Sequence, residues 1–222
     1  MIHPLRDTTR MQLSYGRRSF DLLVWASPTH KQADVVEMAA LLTPRGGADT
    51  WLSRRSGPMP VASAAAARRL LLLSFSLRVP LRIHEFELGL RRDATGREAN
   101  IVGPESAAAR KALLAAVERL AVGAGWLSGL ADAELAAAAL WRGTLLSNGL
   151  IRGAKTTFAL RAPNGARAAT LRVAAELLGV EVQTTRTSQG LRIQLDDDAA
   201  ETLLDRLAQP SGVARVLVTE GR

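Results

Sequence analysis

Residues 140–151 read "LWRGTLLSNGLI", a helical run with a glycine in its interior and an Asn-Gly pair at its end. Gly143 costs a helix about 1 kcal/mol relative to alanine, in a stretch that uses alanine freely at neighbouring turns. Asn148-Gly149 suits a left-handed helix stop. A glycine kept inside such a helix points to a second helix packed on it, because two helices approach closely only where side chains are minimal.

Outward from this run, "DAELAAAALWRGTLL" (132–146) is strongly helical in propensity. In "GLIRGAKTTFALRAP" (149–163) the segment Arg152–Lys155 is a turn, and Phe158 and Leu160 alternate with Ala159 and Arg161 as in a half-buried strand. Pro163-Asn164-Gly165 leads into an amphipathic helix, "ARAATLRVAAELLG", which Gly179 ends. Two strands are expected next: Val180 and Val182 alternate with Glu181 and Gln183, then Leu191, Ile193 and Leu195 with Arg192 and Gln194, turning near Ser188-Gln189-Gly190. A last helix begins at "DDDAAETLLDRLAQP", and Pro210 and Gly212 stop it. The order is helix, two strands, helix, two strands, helix.

The N-terminal half repeats this order more loosely. A helix from about Gln32 to Leu42 precedes a hairpin, "ADTWLSRRSGPMPVA", that turns at Arg55-Ser56-Gly57. The helix "SAAAARRLLLLSFSL" follows, then strand pairing within "VPLRIHEFELGLRR", where a parity shift near His84-Glu85 implies a turn or bulge. The helix "PESAAARKALLAAVERLAVG" closes the half, and "GWLSGLADAEL" joins the halves with Trp126 packing it down. Aligned on their terminal glycines, the two leading helices set Gly143 opposite Ala40, Asn148 opposite Arg45 and Gly149 opposite Gly46. The small residues Ala40 and Gly143 are therefore expected at an interface between the two helices.

The expected organisation is an extension (1–31), a first repeat (32–123), a linker (124–131), a second repeat (132–209) and a tail (210–222). Within the extension, Phe20–Trp25 reads either as an added strand or as a loosely docked segment.

Composition narrows the chemistry. The chain has 222 residues, 47% of them apolar, enough for a substantial core. Its longest apolar stretch, Leu70–Leu77, is broken by Ser74 and Ser76 and its N-terminus lacks a signal-like apolar run, which points to the cytoplasm and away from a membrane. The absence of cysteine excludes disulfides, thiolate metal sites and a cysteine nucleophile. A net charge of +8 fits a polyanionic partner such as DNA. Lysine stands only at 31, 111 and 155, so the charge is mostly arginine, which a GC-rich genome also produces alongside alanine. His3, His30 and His84 are isolated, with His84 read as a turn residue, and Asp196-Asp197-Asp198 reads as a helix cap rather than a metal cluster. "PNGARAA" lacks the spaced glycines and lysine of a phosphate-binding loop. No cofactor and no small-molecule substrate are expected.

These elements carry a resemblance. The order taken twice, with leading helices that end in X-Gly, resembles the LAGLIDADG homing-endonuclease architecture. More closely, Arg142-Gly143-Thr144-Leu145-Leu146, Ala162-Pro163 and Leu178-Gly179-Val180 resemble the second repeat of the bacterial regulator family WhiA, and "VVEMAALLTPRGG" (35–47) resembles its first leading helix. The likeness spans about residues 32–208. It implies an α+β fold of two tandem αββαββα repeats, related by a pseudo-twofold axis, with mixed or antiparallel saddle-shaped sheets. It also implies a catalytically inactive regulator of transcription and of cell division or sporulation, touching DNA or a DNA-bound partner. The family usually adds a C-terminal helix-turn-helix, whereas only "SGVARVLVTEGR" follows the last helix here, too short for one.

Nucleases of this architecture place a carboxylate one residue before each terminal glycine, where the pair holds divalent metals. Arg45 and Asn148 occupy those positions here, a cation and a neutral amide, so neither metal binding nor hydrolysis is expected. On a concave sheet, Arg54, Arg55, Arg152, Lys155, Arg161, Arg186 and Arg192 are the candidate phosphate contacts. Two other readings are a protein-interaction module without DNA binding, its partner in the transcription or division machinery, and a degenerate nuclease with displaced metal ligands.

Overall fold

Helix α1 (Lys31–Leu42) and helix α5 (Ala133–Asn148) lie against each other in the most extensive contact between any two of the described elements. The computed structural model describes residues 23–26, 31–43, 59–61, 64–79, 82–84, 99–102, 107–148, 159–162, 164–188 and 190–208. After α1 come β1 (Met59–Val61), α2 (Ala64–Leu77), β2 (Arg82–His84), β3 (Ala99–Val102) and α3 (Ala107–Val122). A short helical turn, α4 (Gly125–Ser128), leads to α5, then β4 (Ala159–Ala162), α6 (Gly165–Leu177), β5 (Gln183–Thr187), β6 (Gly190–Gln194) and α7 (Asp197–Ala208). From α1 and again from α5, the described elements run α, β, α, β, β, α. Of each expected first strand pair only the second member, β1 or β4, lies among the described residues.

Among the described residues both sheets are antiparallel and three-stranded, with orders β1-β3-β2 and β4-β6-β5, so in each the last strand pairs with both others. Helix α2 covers β1 and β3, and α6 covers β4 and β6. In the second sheet Leu160 pairs with Ile193 and Ala162 with Leu191, and Leu160, Ala162 and Ile193 are buried beneath the helix.

The local sequence explains the helix ends. Asn164 caps α6 by accepting from the Arg167 amide at 2.8 Å, and Asp196 caps α7 by accepting from the Ala199 amide at 2.8 Å. The capping reading of the Asp196–Asp198 run therefore has its geometry in Asp196. The buried residues of α7, Ala200, Leu203, Leu204 and Leu207, form a single stripe at helical spacing. Beyond α6, Gly179 has φ +70 and the Val180 amide reaches back to the Ala175 carbonyl at 2.9 Å, the bond of a left-handed helix cap. A Cβ on Gly179 would meet nothing within 4 Å, so only the backbone conformation opposes a side chain. Gly179→Ala should destabilise the protein by about 1–2 kcal/mol, read as a fall in melting temperature of roughly 2–8 °C.

Three expectations are corrected. Val180 and Val182 are not in a strand; β5 begins at Gln183, and Val180 is buried because the helix cap folds it back under α6. Strand β2 pairs with β3, Ile83 opposite Ile101, and residues 85–90, the expected partner across His84-Glu85, lie outside the described residues. His84 is accordingly a strand residue opposite Asn100, not a turn. Residues 23–25 form a helical turn instead of a strand or a loose segment, and Leu23 and Val24 are buried in the core. Trp126, in α4, packs against that core with its ring partly buried.

Candidate functional site

Helix α1 is buried on nearly every side, including the polar residues Asp34 and Glu37. A carboxylate in such a place must be paired, since isolated burial of a charge is prohibitive. Asp34 accepts from the Ser76 hydroxyl at 2.9 Å. Glu37 is gripped from two helices. Arg69 of α2 forks onto it, Nε to Oε1 at 2.6 Å and Nη2 to Oε2 at 2.9 Å. Arg142 of α5 meets both oxygens through Nε at 3.0 Å, with Nη2 2.9 Å from Oε2. One negative charge thus faces two positive ones.

Backbone carbonyls take the remaining donors. Arg69 Nη1 donates to the Val24 carbonyl at 3.3 Å and to the Ala26 carbonyl, which holds residues 23–26 against α2. Arg142 Nη1 donates to the Leu207 carbonyl at 3.0 Å, at the C-terminal end of α7 where orphan carbonyls favour a cation. Sequence reading missed this cluster. Its one signal is a charged residue inside an apolar helix, as in "VVEMAALL", with no local partner.

Where α1 crosses α5, a Cβ on Gly143 would stand 2.6 Å from the Glu37 carbonyl oxygen and 2.8 Å from the Ala40 Cβ. Near the same crossing the Ser147 hydroxyl lies 3.4 Å from the Ala40 carbonyl. Asn148 is the last residue of α5. Arg45, Gly46 and Gly149 fall outside the described residues.

A third buried arginine is less well matched. Arg167, in the first turn of α6, donates through Nη2 to the Thr144 hydroxyl at 2.9 Å, while its Nη1 is buried without a partner. Burial penalises the guanidinium and lowers its pKa to about 10. Below about pH 10 both folded and unfolded states carry the proton and the penalty is constant. From there up to the guanidinium's ordinary pKa only the unfolded state keeps it, so this group's contribution to stability rises with pH.

Of the seven candidate phosphate contacts, Arg54, Arg55, Arg152 and Lys155 lie outside the described residues. The register of the second sheet brings two of the rest together and separates the third. Arg161 pairs with Arg192 across β4 and β6, and Arg192 with Thr185 across β6 and β5. Strand alternation places that row on the face turned away from α6, because Leu160, Ala162 and Ile193 on the alternate positions are buried beneath the helix. Arg186 pairs with Leu191 and so takes the opposite parity, at the fully exposed edge strand.

Among the described residues no group of three or more His, Cys, Asp or Glu could hold a metal ion, and no helix is long and apolar enough to cross a membrane. No family model matches the sequence, and no curated protein matches it. Solved structures do. The crystal structure of the N-terminal LAGLIDADG domain of DUF199/WhiA superposes with a TM-score of 0.63 at 16% identity, covering 98% of this chain and 99% of that one. Full-length DUF199/WhiA from Thermatoga maritima superposes with a TM-score of 0.56 at 14% identity, covering 92% of this chain. The chain spans 66% of the length of that full protein. The fold is α+β and similar to the LAGLIDADG domain of WhiA.

Proposed function

We propose that the chain is a catalytically inactive, homing-endonuclease-like regulator of the WhiA kind, acting in the cytoplasm on transcription and on cell division or sporulation. Its two halves are tandem repeats about a pseudo-twofold axis, with saddle-shaped sheets, and it touches DNA or a DNA-bound partner. The observation that carries DNA contact is the register of the second sheet, which sets Arg161 directly opposite Arg192 on the face turned away from α6. Like charges so placed cost a sheet up to about 1 kcal/mol. A polyanion over them turns the repulsion into attraction.

The likeness in fold to WhiA supports the regulator reading. The residues Arg45 and Asn148, where a nuclease of this architecture carries its acids, support inactivity. Arginines on phosphates position a protein without specifying a sequence, so the contact is sensitive to salt and tolerant of sequence.

A gel-shift series over salt concentration tests this. Each phosphate contact contributes about 0.9 to the slope of log K against log salt. Arg161→Gln with Arg192→Gln should therefore flatten that slope by about 2, while Arg186→Gln leaves it unchanged. Failure to bind any duplex at low salt would sink DNA contact and leave a protein-interaction module. Duplex cleavage on adding magnesium would sink the inactive reading.

A further inference from the structure

Among the described residues the buried arginines Arg69 and Arg142 share a carboxylate and fill further donors with carbonyls. Arg167 has one neutral hydroxyl and an unpartnered Nη1. The unmatched guanidinium belongs to a helix start that also favours negative charge. Asn164 satisfies the amide of Arg167, leaving the amides of Gly165 and Ala166 without partners in the helix. Asn164 and Gly165 are exposed, so that turn opens to solvent.

Two hydrogen bonds locate the turn. Trp141 Nε1 donates to the Leu171 carbonyl at 3.1 Å, and Arg167 donates to Thr144. As α5 advances from 141 to 144, α6 steps back from 171 to 167, so the start of α6 lies beside the end of α5, where Asn148 stands.

We propose that Arg167 and the first turn of α6 form an oxyanion site of the phosphate class. The guanidinium leaves the Thr144 hydroxyl and takes a phosphate group above the amides of Gly165 and Ala166. An arginine fork and a helix N-terminus are each matched to phosphate oxygens. Burial without an anion disfavours the charged guanidinium, so phosphate draws it outward. Thr144 keeps its own bond to the Leu140 carbonyl at 2.7 Å when the arginine departs. The phosphate is either free in solution or part of a nucleic-acid backbone. The site stands or falls independently of the DNA-contact reading.

The test is thermal melting of the full chain in inorganic phosphate and in chloride at equal ionic strength. Phosphate at about a hundredfold excess over its dissociation constant should raise the wild-type melting temperature by about 5 °C or more. Arg167→Met should melt no lower than wild type in chloride, because no charge is left unpaired, and should show no phosphate shift. An equal shift in both proteins would overturn the site. Should Arg167→Met fail to fold, the phosphorus NMR signal of inorganic phosphate decides: broadening by the wild type supports the site, and none overturns it. Duplex binding distinguishes the sources. Weaker duplex binding by Arg167→Met assigns the backbone phosphate, whereas unchanged binding with the phosphate shift lost assigns free phosphate. A phosphate shift without any duplex binding keeps the site and removes the DNA reading.

Discussion

Replacing Glu37 with alanine should lower the melting temperature by roughly 10 °C or more. The substitution removes the carboxylate shared by Arg69 and Arg142 and leaves both guanidiniums in the interior with carbonyls alone. Removing one partner of a buried ion cluster costs about 3–5 kcal/mol, far more than the intact cluster contributes, because the orphaned charges keep their desolvation cost. For a chain of this size each kcal/mol is about 2–4 °C. Glu37→Gln preserves the shape and loses the charge, so it should fall nearly as far; a small effect from Gln beside a large one from Ala would make packing the cause. Exchanging all three residues for apolar ones of similar volume should recover most of the loss, a non-additivity that circular-dichroism melts of the single and triple variants would reveal. If Glu37→Ala melts within about 2 °C of wild type, equivalent to about 1 kcal/mol or less, the cluster does not hold the helices.

Gly143→Ala carries the second large effect, and its sign is the informative part. Helix propensity alone predicts stabilisation by about 1 kcal/mol. The added Cβ would instead meet a backbone carbonyl at 2.6 Å and another Cβ at 2.8 Å, neither of which can turn aside. Helices α1 and α5 have to separate. Overpacking costs about 1–3 kcal/mol, and in this rigid crossing the upper end applies, a net loss of about 2 kcal/mol after the propensity gain. Gly143→Leu should not fold. Ala40→Gly in the Gly143→Ala background should restore only part of the loss, since it removes the contact at 2.8 Å but not the one with the Glu37 carbonyl. Urea midpoints of the four proteins would measure that coupling. A Gly143→Ala protein more stable than wild type would mean that the crossing is loose.

The contrast between the two glycines shows what a sequence can disclose. Gly179 is readable from its place after an amphipathic helix, and Gly143 from its cost inside an alanine-rich one. The Leu203, Leu204 and Leu207 stripe and the Asp196 cap are likewise local signals, complete within one or two turns. The partners of Glu37 lie 32 and 105 residues away, and nothing near position 37 marks them. Strand pairing is non-local in the same way: β2 pairs with β3 at Ala99–Val102, and nothing near Arg82–His84 marks that segment.

The candidate interface was half legible. Composition singled out its arginines, but only register shows that Arg161 and Arg192 share a face and that Arg186 has the other parity. Alternation at Val180 and Val182 was produced by a helix cap burying one valine, which period-two counting cannot tell from a strand.

The shared carboxylate also sets a schedule for the chain as it is made. Arg142 is synthesised 105 residues after Glu37, so at about 5–20 residues per second the α1 helix waits roughly 5–20 s for its second arginine and for α5. The Leu207 carbonyl that completes Arg142 comes 65 residues later still. Throughout that interval the nascent first half presents an unfinished apolar helix face and a carboxylate held from one side only.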